Sequence, residues 1–271
     1  MEHTYWHKQP DDQPLFDDLL WSRPENKRHA GKLLIIGGNE HNFSAPAAAY
    51  KAALGAGAGI VRVLLPDALK KTIGTVLDNC EFAPTNKSGS FARTALDSWL
   101  EQAAWADCVL IAGDIGHNSE TTIVIEEFLH KYSGMLAITE DALDPFMAWP
   151  DKLFARNKTL VVPAFGQLQK MWPRLVMNNH MIKYAHGLAK NVELIHEFTA
   201  HAPSYIITKH NDDLIVSVEG KISTTANTES IWRTTTAAKA CVWWMQNPSK
   251  PFEALTTAMY EVKDSKPSQA S

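Results

Sequence analysis

Residues His29 to Pro66 read HAGKLLIIGGNEHNFSAPAAAYKAALGAGAGIVRVLLP, and no other stretch constrains the fold as much. An apolar run, Leu33 to Ile36, ends in Gly37-Gly38. A polar loop leads into an alanine-rich segment of high helix propensity. Gly55, Gly57 and Gly59 close that segment, and the β-branched run Ile60 to Leu65 follows. Strand, glycine turn, helix, glycine cap and strand in so few residues make one βαβ unit, which requires a parallel sheet. Gly37 and Gly38 have no Cβ, so a ligand could approach the backbone there, and the next helix would direct free N–H groups at an anion. The bland alternative is a βαβ unit with tight corners. The glycines at 55 to 59 end a helix, so they are not a dinucleotide fingerprint.

From Lys32 onward strands and helices alternate. The pattern predicts strands over 33–37, 60–65, 107–112, 135–139, 159–163, 204–208 and 213–218. It predicts helices over 45–57, 67–76, 92–104, 119–131, 141–148, 167–174, 180–199, 232–246 and 251–261. The runs at 108–112 and 160–162 are continuously apolar, as expected of parallel strands covered on both faces. Turns at Asn211-Asp212-Asp213 and Glu219-Gly220-Lys221 predict antiparallel hairpins in the last third. The expected fold class is therefore α/β, a doubly wound, mostly parallel sheet with helices on both faces and a C-terminal antiparallel hairpin. Residues 1–28, with Pro10, Pro14 and Pro24 among charges, read as an arm, in which Leu15, Phe16, Leu19, Leu20 and Trp21 could make one helical turn or two docking on the body; 29–262 read as the domain and 263–271 as a disordered tail.

Composition excludes several functions. Of 271 residues, 45% are hydrophobic and 21% charged, enough for one large α/β domain. The net charge of −4 comes with no basic run, which disfavours nucleic acid as a partner. No apolar run approaches the roughly 18 residues needed to cross a bilayer. The N-terminus has no apolar secretory core. Cys80, Cys108 and Cys241 are far apart and fit reduced thiols in a cytoplasm. Eleven histidines form no zinc motif, so no metal site is expected.

In an open parallel sheet, ligands sit beyond the carboxyl ends of the strands. Six loops qualify: 37–45, 112–118, 139–144, 163–167, 208–211 and 227–234. Each has a structural alternative. Asp114 could make a local turn. The acids at 140–144 could cap a helix. Lys209 could be a solvated lysine.

The first block also resembles the start of the NAD(P)H-hydrate dehydratase family, on Gly37, Gly38, Asn39, Ala45, Ala52 to Leu54 and Ala56 to Val61. The resemblance covers about residues 29–262. It implies a ribokinase-like fold and dehydration of hydrated NADH and NADPH, a repair reaction driven by ADP or ATP, with Mg as a candidate companion. It places Gly37, Gly38, Asn39, Ala45, Gly116 and Asp141 at the substrate and Lys209 near the nucleotide. It also exposes departures. Thr139 stands where the family has an aspartate, and Ala164 and Gln167 replace a histidine and a glutamate. The family's Gly-x-Gly-Asp stretch, an anion hole with the acid/base aspartate, aligns with Ile231, Arg233 and Thr234. A threonine hydroxyl is no general base near neutral pH. Glu229 could shift into that role, and Arg233 could meet phosphates by its side chain. Three functions follow: the dehydratase, an inactive nucleotide-binding or regulatory protein of this fold, and a small-molecule kinase of the same superfamily. The partner is NAD(P)H hydrate or a related nucleotide, and a homo-oligomer is open to the chain.

Overall fold

A computed structural model describes residues 4–73, 77–177, 180–229 and 232–264, with no side-chain description from 261 on. One ten-stranded sheet runs through the molecule. Its strands are β1 (Trp6–Lys8), β2 (Lys32–Gly37), β3 (Ile60–Pro66), β4 (Cys80–Ala83), β5 (Cys108–Gly113), β6 (Met135–Thr139), β7 (Thr159–Val162), β8 (Tyr205–His210), β9 (Asp213–Val218) and β10 (Lys221–Ala226). Their order across the sheet is β1-β10-β9-β8-β7-β6-β5-β2-β3-β4. Pairs from β8 to β4 are parallel, while β9 runs antiparallel to both β8 and β10. The carboxyl ends of β2, β5, β6, β7, β8 and β10 therefore lie on one edge, and the six candidate loops leave from it.

Alternation of side chains sorts each strand between two cores. Leu33, Ile35, Val61, Val63, Cys108, Leu110 and Val216 face one layer, made by helices α2 (Ser44–Gly55), α8 (Arg233–Gln246) and α9 (Pro251–Asp264). Ala49 and Ala53 are fully buried, and their small side chains let α2 lie close to the sheet and to α8. Leu34, Ile36, Leu64, Val109 and Ile111 face the other layer. Helices α3 (Ala95–Trp105), α4 (Ser119–Lys131), α6 (Phe165–Leu175) and α7 (Leu188–Thr199) form it. There Trp99 packs edge-on to Phe91 and Phe128, with ring centroids 5.0 and 5.5 Å away. Among the described residues no helix is long and apolar enough to cross a membrane.

Several elements differ from the sequence expectation. The arm is packed: β1 adds a parallel edge strand to β10, Trp6 donates to Thr224 Oγ1 (3.0 Å), and Tyr5 stacks on His196. Leu19, in the short helix α1 (Asp17–Trp21), is buried. α1 is the docking helical turn that the Leu15 to Trp21 pattern allows, while β1 departs from the expectation because a few aromatic anchors outweigh the prolines and charges around them. The helices expected at 67–76, of which 74–76 lie outside the described residues, and at 141–148 give 3₁₀ turns, Asp67–Lys71 and Glu140–Phe146. The helix expected at 180–199 begins only at Leu188, after Gly187 in extended conformation. The expected tail lies outside the described residues from 265, and α9 runs to Asp264.

Candidate active site

The site begins where adjacent strands end. A Cβ on Gly37, the last residue of β2, would lie 2.5 Å from the carbonyl oxygen of Gly113, the last residue of β5. Gly38 sits at φ +84, donates to that same carbonyl (3.0 Å), and has Leu65, Leu69 and Phe43 around the place of its missing side chain. Gly113 sits at φ +106, and a Cβ there would lie 2.5 Å from Cβ of Glu140. The glycine pair of β2 is thus filled by protein: it lets β5 close in, and Gly113 in turn admits Glu140.

The helix N-terminus beyond Gly38 is also occupied. Phe43, the residue before α2, supplies no capping hydrogen bond. Asp114 supplies it from across the sheet edge. Its Oδ2 accepts from Ala45 N (2.7 Å) and Ser44 Oγ (3.2 Å), and its Oδ1 accepts from Asn42 Nδ2 (2.9 Å). Asn39 Nδ2 donates to the Asp114 carbonyl (2.7 Å). Asp114 makes this reach with a left-handed backbone, φ +57. A carboxylate is a good partner for the positive end of a helix dipole. Ala45 and Asn39, expected at the substrate, are therefore brought together around an internal anion.

Asp141 and Gly116 meet as well: Gly116, at φ +72, donates its N–H to Asp141 Oδ2 (3.1 Å). Burial is the main cause that pushes the Asp141 carboxyl above its ordinary range. The N–H groups of Gly116 and Ile115 oppose that rise, and Asp114 and Asp144 add to it. Thr139, at the family's aspartate position, spends its hydroxyl on the Val162 carbonyl (2.7 Å) and is wholly buried.

A raised carboxyl favours the folded state below its unfolded pKa, and that contribution is lost as pH rises through the folded value. Asp141→Asn keeps an acceptor for Gly116 and removes the buried charge. The variant should melt higher than wild type at pH 7. The gap should close as pH falls towards about 4, the ordinary aspartate range, and melting curves across that range check it. A gap that grows on acidification would show that Asp141 stabilises the fold as an anion.

At the start of α8, four side chains form one cluster. Arg233 pairs with Glu140 Oε2 and donates through Nη1 to Gln167 Oε1 (3.0 Å). Thr234 Oγ1 donates to Glu140 Oε1 (3.1 Å). Gln167 Nε2 donates to the Glu140 carbonyl (3.0 Å) and to Asp144 Oδ1 (3.3 Å), and its Oε1 accepts from Ala164 N (3.1 Å). Glu140 also holds a left-handed backbone, φ +56. Burial raises its carboxyl above the ordinary range, against the opposing Arg233 charge and the Thr234 hydrogen bond. Ile231, aligned with one motif glycine, lies outside the described residues.

Lys209, at the end of β8, lies three strands from β5, roughly 14 Å along the edge at ordinary strand spacing. Its Nζ donates to the Glu229 carbonyl (2.6 Å) and Asn227 Oδ1 (3.2 Å), tying β8 to the segment before α8. Beside it a cavity of about 230 Å³ is lined by Phe165, Tyr184, Lys209, Asn211, Glu229 and Trp232. Among the described residues no group of three or more His, Cys, Asp or Glu side chains could hold a metal ion. Sequence reasoning missed Glu140. The signal was present only as an acid following a strand, next to the Asp141 that drew attention instead.

This geometry has relatives. The family model for NAD(P)H-hydrate dehydratase matches residues 33–236, and the chain belongs to that family. It is 34% identical over 121 residues to the bifunctional NAD(P)H-hydrate repair enzyme Nnr of Methanothermobacter thermautotrophicus, covering 44% of this chain and 23% of that protein. The counterpart in Methanocaldococcus jannaschii is 33% identical over 122 residues, with the same coverage. The aligned stretch thus spans under a quarter of each relative's length. Among solved structures, a ribokinase-like superfamily protein from Enterococcus faecalis superposes with a TM-score of 0.70 at 16% identity, over 97% of this chain and 88% of the other. The ADP/ATP-dependent NAD(P)H-hydrate dehydratase of Bacillus subtilis, co-crystallised with ATP and Mg²⁺, gives 0.61 at 14% identity over 96% and 93%. The fold is ribokinase-like, with the late antiparallel strands expected of it.

Proposed function

We propose that this member of the family dehydrates hydrated NADH or NADPH with ADP or ATP as co-substrate, through a rebuilt active site. The observation that carries the reading is the cluster at the start of α8. A carboxylate, a guanidinium and a hydroxyl converge there, on the strand edge where ligands bind in such sheets. Hydrated nicotinamide loses a hydroxyl and a neighbouring ring proton, and both steps call for a positioned proton donor and acceptor.

The residues present suit an adenine nucleotide. Lys209 offers an ammonium for phosphate, and Phe165, Tyr184 and Trp232 offer aromatic walls for a base in the adjoining cavity. When bound, the nucleotide supplies the phosphoryl-group free energy that makes dehydration favourable. Mg²⁺ would arrive with its phosphates, since that ion keeps several waters and needs few protein ligands. Gly116 and Asp141, with Asn39 beside Asp114, would form the substrate side. The unpaired thiols Cys80, Cys108 and Cys241 support a cytoplasmic setting.

A second reading is favoured by Asp114. Its carboxylate already sits on the α2 N-terminus, so an incoming anion must displace it. On that reading the chain binds nucleotide and does not turn over. Melting curves with ADP, ATP, NADH and NADPH, run beside a dehydration assay, separate the two. Ligand at 100 times its Kd adds about 2.7 kcal/mol, which at about 2–4 °C per kcal/mol raises the melting temperature by roughly 5–10 °C. A shift with turnover supports the dehydratase, and a shift without turnover supports the binding protein. Neither shift nor turnover removes both.

A further inference from the structure

Glu140, like Asp114, holds a left-handed backbone at the strand edge. That region is sterically unfavourable for a residue with a side chain. Here that backbone turn aims the side chain across the cleft, away from β6 and onto the first turn of α8. Gly113 at φ +106 leaves the space for it, with Cβ and Cγ of Glu140 where a side chain on Gly113 would be. The carboxylate is only about a quarter exposed (25%). Its Oε1 lies 3.1 Å from Thr234 Oγ1 and its Oε2 against Arg233. A carboxylate has therefore reached, from a neighbouring strand end, the helix turn at which a threonine stands.

Among the other acids, Asp114 caps α2 and Asp144 accepts from Gln167, while Asp141 accepts from Gly116 through Oδ2 and keeps a buried Oδ1 without a hydrogen-bond partner, away from the first turn of α8. Glu229 is exposed, and its backbone N–H is spent on Asn227. Of the carboxylates on this edge, Glu140 combines burial, a helix turn beside it, and contacts to side chains that can adjust.

We propose that Glu140 is the acid/base residue of this site, doing from the end of β6 the work that Thr234 cannot do. The inference rests on the dehydratase reading. The Glu140 carboxylate takes the proton of the substrate hydroxyl as that oxygen attacks the terminal phosphorus of the nucleotide, and the P–O bond to the shortened nucleotide breaks. The C–O bond then breaks and inorganic phosphate leaves with the electron pair, while the adjacent ring C–H proton passes to that phosphate and its electrons form the new C=C bond. Hydrated substrate plus ATP becomes reduced nicotinamide, ADP and phosphate, and Glu140 hands its proton to water. Arg233 and Thr234 are positioning residues, which hold the two oxygens in the cleft. The charged groups that set its titration are Arg233 from α8, Asp141 next to it in the same turn, and Asp114 from the loop after β5. Burial raises its carboxyl, and the Arg233 charge and the Thr234 hydrogen bond oppose that rise.

The test uses the full chain, hydrated NADH and ADP or ATP, with recovery of NADH as the readout. Glu140→Gln keeps the shape and should lower kcat by about 10²–10⁴-fold, while the melting-temperature rise caused by the nucleotide persists. The pH profile of wild type should show one group that must be deprotonated, and that limb should vanish in the variant's residual rate. Adding Thr234→Asp to Glu140→Gln returns a carboxylate to the same turn and should recover at least tenfold of the loss. If wild type turns over and Glu140→Gln matches it in rate and pH profile, this inference alone falls. A variant that loses activity without rescue by Thr234→Asp also overturns it. A wild type that binds nucleotide without turnover removes the dehydratase reading and this inference with it.

Discussion

Purified protein will dehydrate hydrated NADH about 10²–10³ times more slowly than a family member that carries the Gly-x-Gly-Asp stretch. That factor is what one preorganised backbone donor at an anion hole is typically worth. The acid/base group is not the larger loss here, because Glu140 brings a carboxylate within 3.1 Å of Thr234. The hole is the larger loss. Two glycines before a helix let backbone N–H groups close on an anion, and a branched or bulky side chain in their place obstructs that approach. Here Ile231 and Arg233 hold those positions, and the Arg233 side chain is already paired with Glu140 and Gln167. Arg233→Gly alone will not recover the rate, since it strands a largely buried carboxylate without its partner. The measurement is kcat for both proteins under saturating nucleotide. Rates within tenfold of each other would show that the guanidinium does the work of the missing N–H groups.

The fold was legible because of how parallel strands are buried. Every residue of Cys108–Gly113 is inaccessible, so the run carries an apolar signal with no polar interruption. The edge strand Cys80–Ala83 was not legible, because it is half exposed and its CEFA sequence carries neither alternation nor a run. The strand Lys221–Ala226 was foreseen only through the hairpin turn before it, and its own bounds were not, since a serine and two threonines interrupt the apolar signal. Their hydroxyls are instead buried against the arm and α9, as in the Ser223–Thr256 hydrogen bond (2.7 Å). At the site, the sequence marked Gly37, Gly38, Asn39, Ala45, Gly116, Asp141 and Lys209 individually. It could not show which anion would meet the α2 N-terminus. That anion is Asp114, distant in sequence, and only the register of β2 beside β5 brings the two together. Glu140 was hidden for a related reason. Its reach to α8 depends on a left-handed φ and on a glycine in another strand, and neither is a property of its own neighbourhood in sequence.

Gly113→Ala should destabilise the protein by about 2–6 kcal/mol: about 1–3 for a side chain held in that backbone region, and about 1–3 for overpacking. At about 2–4 °C per kcal/mol for a chain of this size, the melting temperature should fall by roughly 5–20 °C. One methyl group is enough, because its carbon would lie 2.5 Å from Cβ and 3.0 Å from Cγ of Glu140, and 3.1 Å from Asp141 Oδ1. Relief cannot come from β5, whose Gly113 carbonyl is pinned by the Gly38 N–H at 3.0 Å, with Gly37 packed against it. It must come from Glu140, which would have to leave Thr234 and Arg233. The variant should therefore lose turnover beyond its loss of stability, even when assayed well below its melting point. Gly55→Ala is the matched control. That residue is exposed, its φ is not in the positive range, and nothing lies within 4 Å of an added Cβ. It ends α2, where alanine in place of glycine is worth about 0.4–1 kcal/mol through the unfolded chain, so its melting temperature should hold or rise slightly. Thermal melts of the two single variants give the stability comparison, and kcat for Gly113→Ala gives the link to the site. If Gly113→Ala melts with wild type, the strand ends are slack there, and Glu140 is free to move without cost.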